Sequence, residues 1–125
     1  MSDTSTGSCL CGASTFSFEG SALFAVRCYC RDCQHASGGG HMPQMGVTRH
    51  GMGVSGPIKI YETTAESGNA LGFHFCGECG SPLFKTTSMM PDKMFVNAGA
   101  LDAPPDVDFS KRVYEEARQP WDRPA

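Results

Sequence analysis

No stretch of this 125-residue chain approaches the ~20 consecutive apolar residues that a membrane-spanning helix requires. Charge is also scarce: charged residues make up 18% of the chain, and 10 Lys+Arg against 13 Asp+Glu leave a formal net charge of −3. The basic residues are scattered, with only Lys111 and Arg112 adjacent, so there is no basic stripe of the kind nucleic-acid binders use to neutralise phosphate. The opening residues, Met1-Ser2-Asp3-Thr4-Ser5-Thr6, lack the positive start and apolar core of a secretory signal. No internal repeat, heptad pattern or amphipathic helix of ordinary length is present. These absences set aside transmembrane, coiled-coil and nucleic-acid-binding readings. They lead to the expectation of one globular domain in the cytoplasm, with no membrane or nucleic-acid partner. No feature of the sequence sets an oligomeric state.

What the chain does have is seven cysteines and fifteen glycines. The cysteines form three clusters: Cys9 and Cys11; Cys28, Cys30 and Cys33; Cys76 and Cys79. Structural disulfides rarely persist in a reducing cytoplasm, and an odd count leaves one thiol over in any full pairing scheme. Clustered thiols in such a chain point to metal, with Zn²⁺ the default ion. Cys76-Gly77-Glu78-Cys79-Gly80 reads as a zinc knuckle, its glycines freeing the backbone for a tight turn. Cys9 and Cys11, at i and i+2, point the same way if they lie on a strand. Together these pairs make a closed four-cysteine site. Cys28, Cys30 and Cys33 then have no fourth cysteine, and three protein ligands with an open place is the pattern of a reactive zinc. Two other readings of the trio stay open: completion by His35 or His41 as a second structural site, or a metal-free redox trio.

Along the chain, residues 1–7 are polar and small and are expected to be a flexible tail. Thr15 to Glu19 alternates with period two, as a half-buried strand does. Leu23 to Val26 delivers the chain to Cys28, and Arg31 to Ser37 suits a short helical turn ended by Gly38. Gly38 to Pro57 is too rich in glycine and proline for long helices and has room for one or two short strands, such as Gln44 to Thr48. Further strands are expected at Pro57–Glu62, Ala70–Phe75, Pro82–Lys85 and Lys93–Gly99. Val113 to Arg118 suits either a strand or a helical turn. The fold class expected from this pattern is all-β, built of short antiparallel strands with few short helical turns.

Four motifs, Cys9-Leu10-Cys11-Gly12, Cys28 to Gly38, Phe75 to Phe84 and Asn97 to Asp102, occur in the order found in a known family. The chain resembles the glutathione-dependent formaldehyde-activating enzymes and centromere protein V-like relatives, which share a zinc-containing β-tent fold. The late Trp121 is similar to the tryptophan that closes many members. On this resemblance the domains are a tail at 1–7, one zinc domain at 8–121 and a C-terminal tail at 122–125. The resemblance implies two Zn²⁺ per chain: a structural ion on Cys9, Cys11, Cys76 and Cys79, and a catalytic-type ion on Cys28, Cys30 and Cys33. It further implies a carbon–sulfur lyase resembling S-hydroxymethylglutathione synthase, whose partners are a thiol such as glutathione and a small aldehyde such as formaldehyde. Full thiolate ligation of two Zn²⁺ would take the formal −3 to about −6.

The carboxylates of glutathione call for basic seats, for which Arg27, Arg31 and Arg49 are the candidates; the commoner place for such arginines is a solvated face. His35 is placed to donate a proton, whereas His74, between two phenylalanines, is expected to be a packed strand residue. The alternative function is a non-catalytic zinc-binding module for a protein or small-thiol partner, with the methionines as an adaptable surface. Methionine sulfoxide reductase chemistry needs a nucleophilic cysteine late in the chain, and none follows Cys79.

Overall fold

The computed structural model describes residues 4–123. Its strands are β1 (Thr4–Ser8), β2 (Thr15–Glu19), β3 (Phe24–Cys28), β4 (Met42–Thr48), β5 (Gly53–Ser55), β6 (Ile58–Thr64), β7 (Ala70–Cys76), β8 (Pro82–Thr87), β9 (Lys93–Asn97) and β10 (Arg112–Val113). The helix α1 (Arg31–Ser37) and 3₁₀ turns at Ala98–Ala100 and Glu115–Ala117 complete the described elements. The strands form a three-stranded sheet, β1-β2-β5, and a seven-stranded sheet, β10-β3-β4-β9-β8-β7-β6. Every pairing is antiparallel except β10 with β3. The all-β expectation holds.

Residues paired directly across a sheet share a face, so register alone divides the larger sheet chemically. One line of partners runs Ala25, Met45, Val96, Phe84, His74 and Ile60. The next runs Phe24, Gly46, Phe95, Lys85 and Phe73. The first line faces the main core, where Met45, Val47, Phe84, Met94 and Val96 pack with Phe16 and Phe18 of the smaller sheet. The Phe16 and Phe84 rings meet edge to face at 5.6 Å, and His74 lies 4.7 Å from the Phe84 ring. Burial holds the His74 pKa below its ordinary value, and the Arg49 charge lowers it further, which agrees with a packed strand residue.

The second line faces away from that core. Here the Phe24 ring lies across its paired glycine: a Cβ on Gly46 would stand 2.2 Å from the ring. That close seat brings Phe24 within 5.3 Å of Phe95, and the two rings form an apolar wall beside Lys85.

The N-terminal segment differs from its expected reading as a tail. Thr4 to Ser8 pairs with β2 through five residues. Asp102 holds it from the other side, accepting from the hydroxyls of Thr6 at 2.8 Å and Ser8 at 2.5 Å. Long-range partners supply an order that a polar, small-residue segment does not announce locally. Residues 1–3 and 124–125 of the two expected tails lie outside the described residues. Asp122, assigned to the C-terminal tail, is bound to His41 at 2.8 Å. Val113 to Arg118 satisfies both of its expected forms, β10 ending at Val113 and a 3₁₀ turn following.

Candidate metal centres and the cleft above one of them

Cys9 and Cys11 are not on a strand, as their spacing suggested. They occupy the turn after β1, closed by a Gly12 N–H to Cys9 carbonyl bond of 3.1 Å with Gly12 at φ +81°. The turn still turns both sulfurs one way. Cys76 ends β7, and Cys79 follows in a second turn, closed by Gly80 N–H to the Cys76 carbonyl at 2.8 Å. The four sulfurs of Cys9, Cys11, Cys76 and Cys79 lie within 4.8 Å of one another. A tetrahedron with Zn–S bonds of ~2.3 Å has edges of about 3.8 Å; the Cys9–Cys11 and Cys11–Cys76 separations are 3.6 Å and 3.9 Å. The donor set therefore fits zinc.

Backbone N–H groups of Ser14 and Glu78 point at the sulfurs of Cys9 and Cys76, at 3.2 Å and 3.4 Å, and stabilise thiolate charge there. Ser81 joins the two turns. Its hydroxyl lies 3.1 Å from Cys79 Sγ and accepts from the Leu10 N–H at 3.0 Å. That hydroxyl is the chief reason the Cys79 thiol is pulled down to about 5.

The second group comprises Cys28, Cys30 and Cys33, whose sulfurs also lie within 4.8 Å of one another. Cys28 ends β3, Cys30 caps α1 by accepting the Cys33 N–H at 3.3 Å, and Cys33 sits in the first turn. Among the described residues no histidine or carboxylate joins this group. His35 instead meets the Arg31 guanidinium at 3.3 Å, and His41 is held by Asp122 and lies 4.9 Å from the Tyr29 ring. Three soft donors converging on one point fit a metal ion with a coordination place left over.

Two polar side chains that the motifs did not announce serve the trio. Lys85 is only 7% exposed; its ammonium donates to Cys33 Sγ at 3.5 Å and lies 5.1 Å from the centre of the Phe95 ring. Burial works against the Lys85 charge, but the thiolates, Cys33 foremost, outweigh it and raise the pKa. Gln44, 1% exposed, donates its amide N–H to Cys33 Sγ at 3.6 Å, and its Oε1 has no partner among the described residues. Hydrogen bonds with Cys28 first and then Cys33 hold the Cys30 thiol well below its ordinary value. A lysine directly after the apolar pair Leu83–Phe84 was the local sequence signal for Lys85. Nothing local signalled Gln44.

Above the trio opens a cleft of about 720 Å³, with Cys28, Cys30, Gln44 and Lys85 among its lining residues. Its wall includes Tyr114, the one described non-glycine residue with positive φ, at +59°, an uncommon conformation for a bulky side chain. Of the three arginines considered as carboxylate seats, Arg31 alone lines the cleft, and it is already engaged by Gln34 and His35.

The family model described as glutathione-dependent formaldehyde-activating enzyme matches residues 4–117. The chain belongs to this family. The match includes all seven cysteines and stops short of Trp121, which is 68% exposed. No curated protein matches the chain. A crystal structure of a Rhodobacter sphaeroides protein is similar in fold, with a TM-score of 0.61 and 21% identity, covering 82% of this chain and 90% of that one. In this formaldehyde-activating family member, two cysteine groups are suited to metal ions and consistent with zinc.

Proposed function

We propose that this chain is a zinc-dependent carbon–sulfur lyase-type enzyme that adds a thiol to a small aldehyde at Cys28, Cys30 and Cys33. The observation that carries the reading is the contrast between the two cysteine groups. Four sulfurs close on one point at the edge of the main core, Cys9 and Cys76 buried in it and Cys11 exposed, whereas three converge where a large cleft opens over two of them. Cys9, Cys11, Cys76 and Cys79 would hold a structural Zn²⁺, and the trio a second one. When bound at the trio, zinc would supply an open coordination place that favours thiolate or polarises a carbonyl.

In the reaction, the sulfur bonds the aldehyde carbon, the C=O π pair moves to oxygen, and that oxygen takes up the proton the thiol gave up. The product is a hydroxymethyl thioether when the aldehyde is formaldehyde. Lys85 is the buried cation of the cleft, a preorganised donor for an oxygen gaining charge. Gln44 Oε1, buried and without a partner among the described residues, is an acceptor for the hydroxyl that forms. Cys33, already bonded by Lys85 and Gln44, is a fixed ligand at the back of the trio.

The test combines metal counting with rate measurement. Wild type is expected to hold two zincs per chain and to consume formaldehyde with a thiol faster than the uncatalysed mixture. Cys30→Ser should lose the rate while remaining folded. Cys76→Ser should unfold, because Cys76 has no exposed surface and lies in the main core. Two zincs with a background rate for every thiol tried would reject the enzyme and favour the zinc module.

A further inference from the structure

The cleft is far larger than formaldehyde needs, so its walls are shaped for the other reactant. Those walls are mainly apolar. Phe24, Leu71 and Phe95 come from the site face of the large sheet, and Met89, Met90 and Tyr114 from the loops around it. The lining charges oppose one another: Arg31, Lys85 and Lys111 against Asp32, Glu66 and Glu116. The inner cation, Lys85, is held at Cys33 beside the reacting centre, where its remaining N–H groups face the aldehyde oxygen; Arg31, at the exposed rim, is hydrogen-bonded to Gln34 and His35. Lys111 is exposed. Arg27 and Arg49 do not line the cleft, and Arg49 donates instead to the Pro91 carbonyl at 3.4 Å.

Glutathione brings two carboxylates and one ammonium. Seating it here would place carboxylates against aromatic and methionine surface with no free buried cation to receive them, and an unpaired charge is costly to desolvate. An uncharged thiol with an aromatic or alkyl body suffers no such cost and gains by covering the Phe24–Phe95 wall. Methionines at the mouth conform to varied apolar shapes.

We infer that the thiol accepted at the Cys28–Cys30–Cys33 centre carries an uncharged, apolar body, and that glutathione is a poor occupant; this rests on the thiol–aldehyde reading above. The lining does for the thiol what ligand count does for the metal. It specifies a class by what it leaves unpaired.

Zinc-loaded protein with ¹³C-methyl methionine is titrated separately with 2-phenylethanethiol, 2-phenylethanol and glutathione, by calorimetry and methyl NMR. The expected result is a dissociation constant for 2-phenylethanethiol at least tenfold below that of glutathione, with the Met89 and Met90 methyl signals shifting. The alcohol, which shares the ring and lacks the thiol, should shift the same signals more weakly. Met89→Glu, at an exposed position, should weaken the aromatic thiol at least fivefold. Glutathione binding as tightly as 2-phenylethanethiol overturns the apolar-thiol class and leaves the thiol–aldehyde reading standing. Binding of the alcohol with neither thiol exceeding it overturns both, because the centre then takes no thiol.

Discussion

Replacing Lys85 by methionine removes a buried charge while keeping an apolar stem of similar length. Zn²⁺ on three thiolates carries a net charge of −1, and Lys85 Nζ lies 3.5 Å from the nearest sulfur. Two unit charges at that distance attract by about 4–5 kcal/mol at an effective dielectric of ~20. Part of this is offset, because the variant no longer desolvates an ammonium. The metal-free trio also escapes some of the loss, since a thiol can take back a proton, whereas the loaded trio cannot shed its charge. A net weakening of about 2–3 kcal/mol follows, and at ~1.4 kcal/mol per decade the zinc dissociation constant of this site should rise by one to two decades. The assay is competition against a chromophoric chelator, following the two zinc equivalents separately; Lys85→Gln, which keeps a donor and removes the charge, should behave like Lys85→Met. An unchanged second equivalent would refute the electrostatic role of Lys85. Equal weakening of both equivalents would show a general loss of structure instead.

Gly56 stands at φ +107°, where a Cβ would meet the Ala13 carbonyl oxygen at 2.1 Å. Gly56→Ala must therefore move the backbone beside the Cys9–Cys11 turn, and thermal denaturation should show a lower Tm with earlier zinc release from the four-cysteine site. Asp102 is held below its ordinary value of 3.8 chiefly by the Ser8 hydroxyl and then by Thr6. A depressed carboxylate contributes stability that is present above its unfolded pKa and lost as pH falls through its folded one. Asp102→Asn should thus lower Tm at neutral pH and flatten the acid limb of the Tm–pH curve below about pH 4.

The division of the cysteines was legible because ligand count and spacing are local properties. Seven thiols in three clusters carry their own arithmetic, and the helix Arg31–Ser37 has the same limits in sequence and structure. Most strands were legible for a similar reason, since short apolar runs bounded by glycine and proline, and in Thr15–Glu19 a period-two alternation, are written along the chain. What escaped was set by partners distant in the chain. Thr4 to Ser8 is a strand only because β2 and Asp102 flank it. Gln44 and Lys85 serve Cys33 from 11 and 52 residues away. Their role depends on register across β3, β4, β9 and β8, and no residue's neighbours in sequence encode that register. Arg27 shows the converse: though next to Cys28 in sequence, it lies on the opposite face of the strand and does not line the cleft.

That register also places the two cysteine groups differently in the packing. Cys9 and Cys76 belong to the main core beside Phe16, Phe84 and Val96, so a metal on their group would be wedded to the packing of both sheets. Cys28 and Cys33 belong to a second, smaller cluster with Met42, bordered by Ala36 and Val113. Ordering that cluster enlists one short helix and strand ends, not the sheet interface. A coordination place can therefore stay open there, and Lys85 can be kept buried, at a cost borne locally. The four-cysteine group could not carry such a vacancy without loosening the turns that anchor β1 and β7. The sheet's alternation thus assigns the trio to the face where incomplete ligation is tolerable, and on the proposed thiol–aldehyde reading the apolar walls of that face would select the thiol that completes it.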